Sequence, residues 1–128
     1  MIADTTFLID LQREARRTKG GGATKFLEQN SAALFSLSAI TVMEFEEGFD
    51  NTDLDSARDF LAAFPVIDVD VSIARRAGRV RRQLRLAGQL IGDNDILIAA
   101  TALDRDDTLL SRNPGHLSRI EGLRVVSY

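Results

Sequence analysis

From Asn94 to Arg105 the chain reads Asn-Asp-Ile-Leu-Ile-Ala-Ala-Thr-Ala-Leu-Asp-Arg, apolar at nearly every position after the first two. A helix that is hydrophobic all round has no side to give to water, so this segment reads as a central, buried helix. Just before it, Ser72 to Leu86 places Ile73, Ala77, Val80, Leu84 and Ala87 on one stripe, the pattern of an amphipathic helix. Short apolar stretches at 1–4, 33–38, 66–69, 108–111 and 123–127 read as strands. Further helices are expected from Phe7, over 23–29, 40–49 and 54–64 (Ala57, Leu61 and Phe64 on one stripe, Pro65 at the boundary), and briefly over 114–120. Strands thus alternate with helices, which favours a parallel sheet covered on both faces by right-handed crossovers.

The 128 residues make one domain, with enough chain to bury a core without covalent staples. With no cysteine, disulfides, zinc–thiolate sites and cysteine nucleophiles are excluded. A single histidine, His116, excludes any site needing two imidazoles, and it reads as a surface residue. No apolar run reaches membrane-spanning length and the start has no signal-peptide pattern, so the expected location is the cytoplasm. Lys19-Gly20-Gly21-Gly22 is expected to be a flexible loop; lacking a following Lys-Ser/Thr, it is a poor phosphate cradle.

The net charge of −3 hides a partition. Glu44, Glu46, Glu47, Asp50, Asp53, Asp55 and Asp59 face only Arg58 in their stretch, whereas Arg75, Arg76, Arg79, Arg81, Arg82 and Arg85 follow with no acid among them. The split suits a site that handles a polyanion through a metal and an arginine face; two solvated helix faces would give the same pattern. Arg75, Arg79 and Arg82 share one side of their helix and are candidates for contact with a nucleic-acid backbone.

Four positions carry the chemistry. In an open parallel sheet the ligand crevice lies beyond the carboxyl ends of the strands, where strand order reverses. Asp4 closes the first strand and Asn113 follows the fourth. Asp95 lies in the first turn of the buried helix, where the helix dipole favours a carboxylate, and Glu44 sits one turn into the helix after the second strand. Taken singly, each has a plainer role as a turn residue, a helix cap or a surface acid. Gathered at one rim, the carboxylates repel one another unless a hard cation stands between them.

Asp4-Thr5-Thr6, the stretch Ser38 to Phe45 ending in Thr41-Val42-Met43-Glu44-Phe45, the block Ile91-Gly92-Asp93-Asn94-Asp95-Ile96-Leu97-Ile98-Ala99-Ala100, and Leu110-Ser111-Arg112-Asn113 together resemble PIN-domain nucleases, and among them the VapC-type toxins of bacterial toxin–antitoxin pairs. The resemblance runs through essentially the whole chain, 1–128. It implies a three-layer α/β/α sandwich around a mostly parallel five-stranded sheet, and a Mg²⁺- or Mn²⁺-dependent endoribonuclease. Water would be the nucleophile, so that cleavage leaves a 5′-phosphate and a 3′-hydroxyl. Asp4 and Asp95 would ligate the metal, and Glu44 would ligate it or act through its water. Asn113 stands where many members carry a fourth acid, so a second metal would have to rely on Asp93 turning inward. Thr6 and Ser111 match hydroxyls that line the family's site, and Arg112 beside them is expected to touch the RNA. A VapB-like antitoxin partner, seated on apolar surface around Phe45, Phe49, Phe60 and Phe64, and a homodimer are implied in the same way.

Two other readings compete. A receiver-like signalling domain would need paired acids after the first strand and a late lysine, whereas Asp4 stands alone and no lysine follows Lys25. A catalytically degenerate PIN domain that only binds RNA or protein is disfavoured by Asp4, Glu44 and Asp95 and favoured slightly by Asn113.

Overall fold

The computed structural model describes residues 1–17 and 20–128. Its elements are β1 (Ile2–Ala3), α1 (Thr5–Ala15), α2 (Gly22–Gln29), β2 (Ser36–Ser38), α3 (Ala39–Glu47), α4 (Leu54–Leu61), β3 (Val66–Ile67), α5 (Val71–Leu86), α6 (Asp93–Asp104), β4 (Thr108–Leu110), a 3-10 turn (Leu117–Arg119) and β5 (Arg124–Val126). The sheet order is β3-β2-β1-β4-β5. Every neighbouring pair is parallel, so the sheet is wholly parallel where a mostly parallel one was expected. The chain leaves β1 for β2 on one side and returns to β4 on the other, which puts the reversal of strand order at the carboxyl ends of β1 and β4.

Neighbouring residues of a strand point to opposite faces, and here they divide between two cores. Ile2 and Leu109 join Ile73, Val80, Leu84, Ile96 and Ala100 under α5 and α6. Ala3 and Leu110 join Phe7, Leu8, Leu37, Phe45 and Leu61 under α1 to α4. The result is three layers. Helix α6 is the enclosed helix that its composition demands: it meets α5, α3 and β4, and its one buried hydroxyl, Thr101, bonds Leu97 O at 2.8 Å and Ser38 Oγ at 3.1 Å.

Helix starts are set by side chains that satisfy the free N–H groups of a first turn. Asp4 caps α1 through Phe7 N, and Asp70 caps α5 through Ile73 N, each at 2.9 Å. Helix α2 begins at Gly21, which has no side chain to offer, so Glu14 of α1 takes the role. Its carboxylate accepts from Ala23 N at 3.2 Å, Thr24 N at 2.7 Å and the Thr24 hydroxyl at 2.8 Å.

Several boundaries fall elsewhere than the residues alone suggest. The second strand starts at Ser36, not Ala33, because Ala33 N still bonds Asn30 O in the turn after α2 and Leu34 is 68% exposed. The expected helix over 114–120 tightens to the single 3-10 turn, with Ser118 N on Pro114 O. Of the glycine loop, Lys19 lies outside the described residues and Gly22 already opens α2. Among the described residues, no helix is long and apolar enough to cross a membrane.

Candidate active site

The rim at the ends of β1 and β4 is assembled from both ends of the chain. As β1 stops, Asp4 N bonds Leu110 O at 3.0 Å, which fixes Asp4 beside β4. Its side chain is 9% exposed and serves as the cap of α1. Both hydrogen bonds to it, from Phe7 N at 2.9 Å and the Thr6 hydroxyl at 2.6 Å, fall on Oδ1, and among the described residues Oδ2 takes none. Thr6 Oγ1 in turn accepts from Arg112 N at 3.3 Å, and the buried Ser111 Oγ accepts from Asn113 N at 3.2 Å. Asp4, Thr6, Ser111, Arg112 and Asn113 therefore form one connected group, although more than a hundred residues separate its two halves.

Glu44 reaches the same rim from α3. The Thr5 hydroxyl donates to its Oε2, and Asn94 Nδ2 donates to its Oε1 at 3.0 Å. This ties the start of α1 to the start of α6, one residue before Asp95. Asp95 itself is held from a third direction: His116 Nε2 lies 3.1 Å from its Oδ2. His116 is thus half-buried and part of the rim, not the surface residue that its isolation in the sequence suggests. Asp93 goes the other way. Its carboxylate pairs with Arg81 at 2.9 Å and is 69% exposed, so it does not turn inward to stand in for the acid that Asn113 lacks.

Sequence reasoning missed four participants. Thr5, Asn94, Asp10 and His116 act through contacts between distant segments, and only Thr5 and Asn94, next to residues already suspected, gave any local sign. Asp10 accepts from Arg112 Nη1 at 2.6 Å and from the Tyr128 hydroxyl at 3.0 Å. Burial pushes the Tyr128 pKa well above its ordinary value, and the bond to Asp10 with its negative charge adds to the shift, so the phenol stays a neutral donor.

The donors that remain suit a hard divalent ion. They are carboxylate, hydroxyl and amide oxygens; among the described residues Asp4 Oδ2 takes no hydrogen bond and Asp95 is engaged through Oδ2 alone. Among the described residues, no three acidic, histidine or cysteine side chains converge closely enough to enclose an ion by themselves. Mg²⁺ keeps several of its waters and is commonly bound through one or two carboxylates plus substrate phosphate, so a rim of spaced acids fits it better than a closed cage would.

Two of the arginines of α5 are held in ion pairs. Arg76 pairs with Asp104 at 3.6 Å and Arg81 with Asp93, which clamps α5 to both ends of α6. Arg79 lines a cleft of about 440 Å³ with Leu103, Asp106 and Glu121. Leu103 lies eight residues beyond Asp95, roughly 12 Å along the helix axis, so that cleft is at the far end of α6. A second cleft, of about 400 Å³, borders the rim itself: Glu44, Phe45 and Phe49 face Ile9, Gln12 and Arg13 of α1, and Arg16 just past its end, across it.

Comparison with known proteins follows this geometry. The PIN domain profile matches residues 1–123. The ribonuclease VapC2 of Haemophilus influenzae is 30% identical over 103 residues, covering 77% of this chain and 78% of that protein. The structure of VapBC2 from Rickettsia felis, bound to a DNA fragment from its promoter, superposes with a TM-score of 0.85 at 23% identity, covering 99% of this chain and 97% of that one. A toxin–antitoxin complex from Klebsiella pneumoniae contains a chain 28% identical, with a TM-score of 0.74 and coverage of 98% and 94%.

Proposed function

Because the chain belongs to the PIN-domain family and to its VapC ribonucleases, we propose that residues 1–128 work as a single PIN domain, a toxin endoribonuclease that hydrolyses RNA phosphodiester bonds with the help of Mg²⁺ or Mn²⁺. The observation that carries this reading is the rim: Asp4, Glu44 and Asp95 arrive from β1, α3 and α6 at the carboxyl end of the sheet, each held by a neighbour that fixes its orientation.

Asp4 and Asp95 offer their remaining oxygens to the ion. When bound there it would lower the pKa of a water nucleophile and neutralise charge gathering on the phosphate. Glu44, its two oxygens set by Thr5 and Asn94, keeps a carboxylate pointed at the water that attacks, or ligates in turn. His116 fixes the rotamer of Asp95. Thr6, Ser111 and Asn113 line the floor with groups that accept and donate to phosphate oxygens and water, and Arg112 meets the RNA backbone. The attacking water forms the new P–O bond while the P–O3′ bond breaks and the 3′-oxygen leaves with a proton, so the proposed products are a 5′-phosphate and a 3′-hydroxyl.

A VapB-like antitoxin is the proposed partner, working with the toxin in the cytoplasm, and the two toxin chains form a homodimer. The cleft between α1 and α3 borders Glu44 and has an aromatic floor with charged walls, which suits a partner segment that closes the site. The test is cleavage of total tRNA and ribosomal RNA by the purified chain with Mg²⁺, Mn²⁺ or chelator. Cleavage restored by metal and lost in Asp95→Asn supports the reading; metal-independent RNA binding without cleavage would establish a degenerate binding module instead.

A further inference from the structure

Arg112 is fixed at three points. Its N–H bonds the Thr6 hydroxyl, its carbonyl accepts from Ser127 Oγ at 3.4 Å, and its guanidinium donates through Nη1 to Asp10. Asp10 is fixed as well. Its Oδ2 also accepts from the Tyr128 hydroxyl, and the Tyr128 ring is wedged edge-on against Phe7 with centroids 5.1 Å apart, next to Phe26. The arginine side chain nevertheless remains 49% exposed, whereas Asp10 is 17% exposed. A guanidinium has five donors, and one is used by Asp10. The others have no protein partner among the described residues, and the backbone N–H of the same arginine is two hydrogen bonds from Asp4 Oδ1, through Thr6.

We infer that Asp10 and Tyr128 are positioning residues that hold the Arg112 guanidinium ready for a phosphate of the RNA next to the scissile bond. The inference rests on the ribonuclease reading above and names residues that the reading does not include. A free surface arginine has considerable rotamer entropy to lose on binding. Prior anchoring on a nearly buried carboxylate removes much of that loss before substrate arrives. Asp10 leaves the fork of the guanidinium able to meet phosphate oxygens, the geometry for which arginine is suited. The neutral phenol donates to Asp10 without adding a charge that would compete with the arginine.

The experiment measures apparent KM and kcat on a random-sequence pool of fluorophore–quencher heptaribonucleotides with Mn²⁺, and thermal midpoints beside them. Asp10→Ala raises KM about fivefold with kcat within a factor of two, the size expected for one lost charge-assisted hydrogen bond. Asp10→Asn, which keeps an acceptor, recovers most of that loss, and Tyr128→Phe, which removes only the hydroxyl, raises KM about twofold. In an Arg112→Ala background, Asp10→Ala adds no further effect. An equal rise in KM in that background, or a lowered melting point with KM unchanged, would make the Asp10–Arg112 pair a structural tie between α1 and the loop after β4, and overturn the inference. A wild-type chain that cuts none of the pool, or any natural RNA, with either ion removes the ribonuclease reading itself and the inference with it.

Discussion

Asp4 performs two tasks with its two oxygens, and substitutions can separate them. Oδ1 caps α1 and takes the Thr6 hydroxyl, while Oδ2 takes no hydrogen bond among the described residues and is the oxygen proposed for the metal. Asparagine is as good a cap as aspartate but brings no charge, whereas alanine forfeits about 1 kcal/mol of helix stability. Asp4→Asn is therefore expected to keep or raise the melting temperature, since it also relieves repulsion among the rim acids, while cleavage falls by more than the roughly hundredfold typical of outer-shell partners. Asp4→Ala loses the same activity and melts several degrees lower. Melting curves beside gel-based cleavage assays check both, and an active Asp4→Asn would remove Asp4 from the metal set. His116, by contrast, could not be assigned from the residues alone. A lone histidine twenty-one positions from Asp95 shows no pattern, and the 3-10 turn that swings it back to α6 begins only where the expected longer helix fails to form.

At the scale of elements, the α1–α2 junction is sensitive to acid. Desolvation is the largest single influence on Glu14 and raises its pKa, but the hydrogen bonds from Thr24, Ala23 and Gly21 together outweigh it and hold the carboxyl below its ordinary value of 4.5. A depressed folded-state pKa means that the stabilisation is complete above about pH 4.5 and is lost as pH falls through the lower folded value. Glu14→Gln is expected to flatten the acid limb of a melting-temperature profile and leave the neutral limb lower but parallel. Gly21→Ala breaks the junction at any pH, because a Cβ there would lie 2.2 Å from Glu14 Oε1; a loss of about 1 kcal/mol, the value of a cap, should appear by denaturant titration. These elements also mark what could be read beforehand. The enclosed α6 and the striped α5 declare themselves over twelve and sixteen residues, long enough for a period to show. Strands of two or three residues cannot show one, so their existence was legible and their ends were not. Asp4 and Asp95 could be singled out beforehand because they sit at element boundaries, whereas Glu44 lies inside α3; the donors that orient Glu44 and the Asp10–Tyr128 anchor exist only once the layers have packed.

Over the whole molecule, part of the charge partition is met by ion pairs between helices. Arg76 and Arg81 answer Asp104 and Asp93 across the α5–α6 contact, and Arg79 faces Asp106 and Glu121 at the end of α6 remote from Asp95. Arg79→Ala is accordingly expected to leave the salt dependence of RNA binding unchanged. Arg112→Ala should lower the slope of log K against log salt by about 0.7, the increment of one single-strand phosphate contact. Fluorescence anisotropy over a range of NaCl concentrations measures both, and a slope lowered by the Arg79 change would restore α5 to the substrate path.

The position of β1 has a further consequence for a cell that makes such a chain. This two-residue strand is the middle of the sheet, and half of its pairing comes from β4, which the ribosome adds more than a hundred residues later. Until Thr108 to Leu110 have emerged, Asp4 lacks the carbonyl that fixes it, and Arg112 has not yet been made. A nascent or prematurely released chain therefore carries the acids without the rim, and the order of synthesis works as a safety catch, holding back destructive chemistry until β4 has been made.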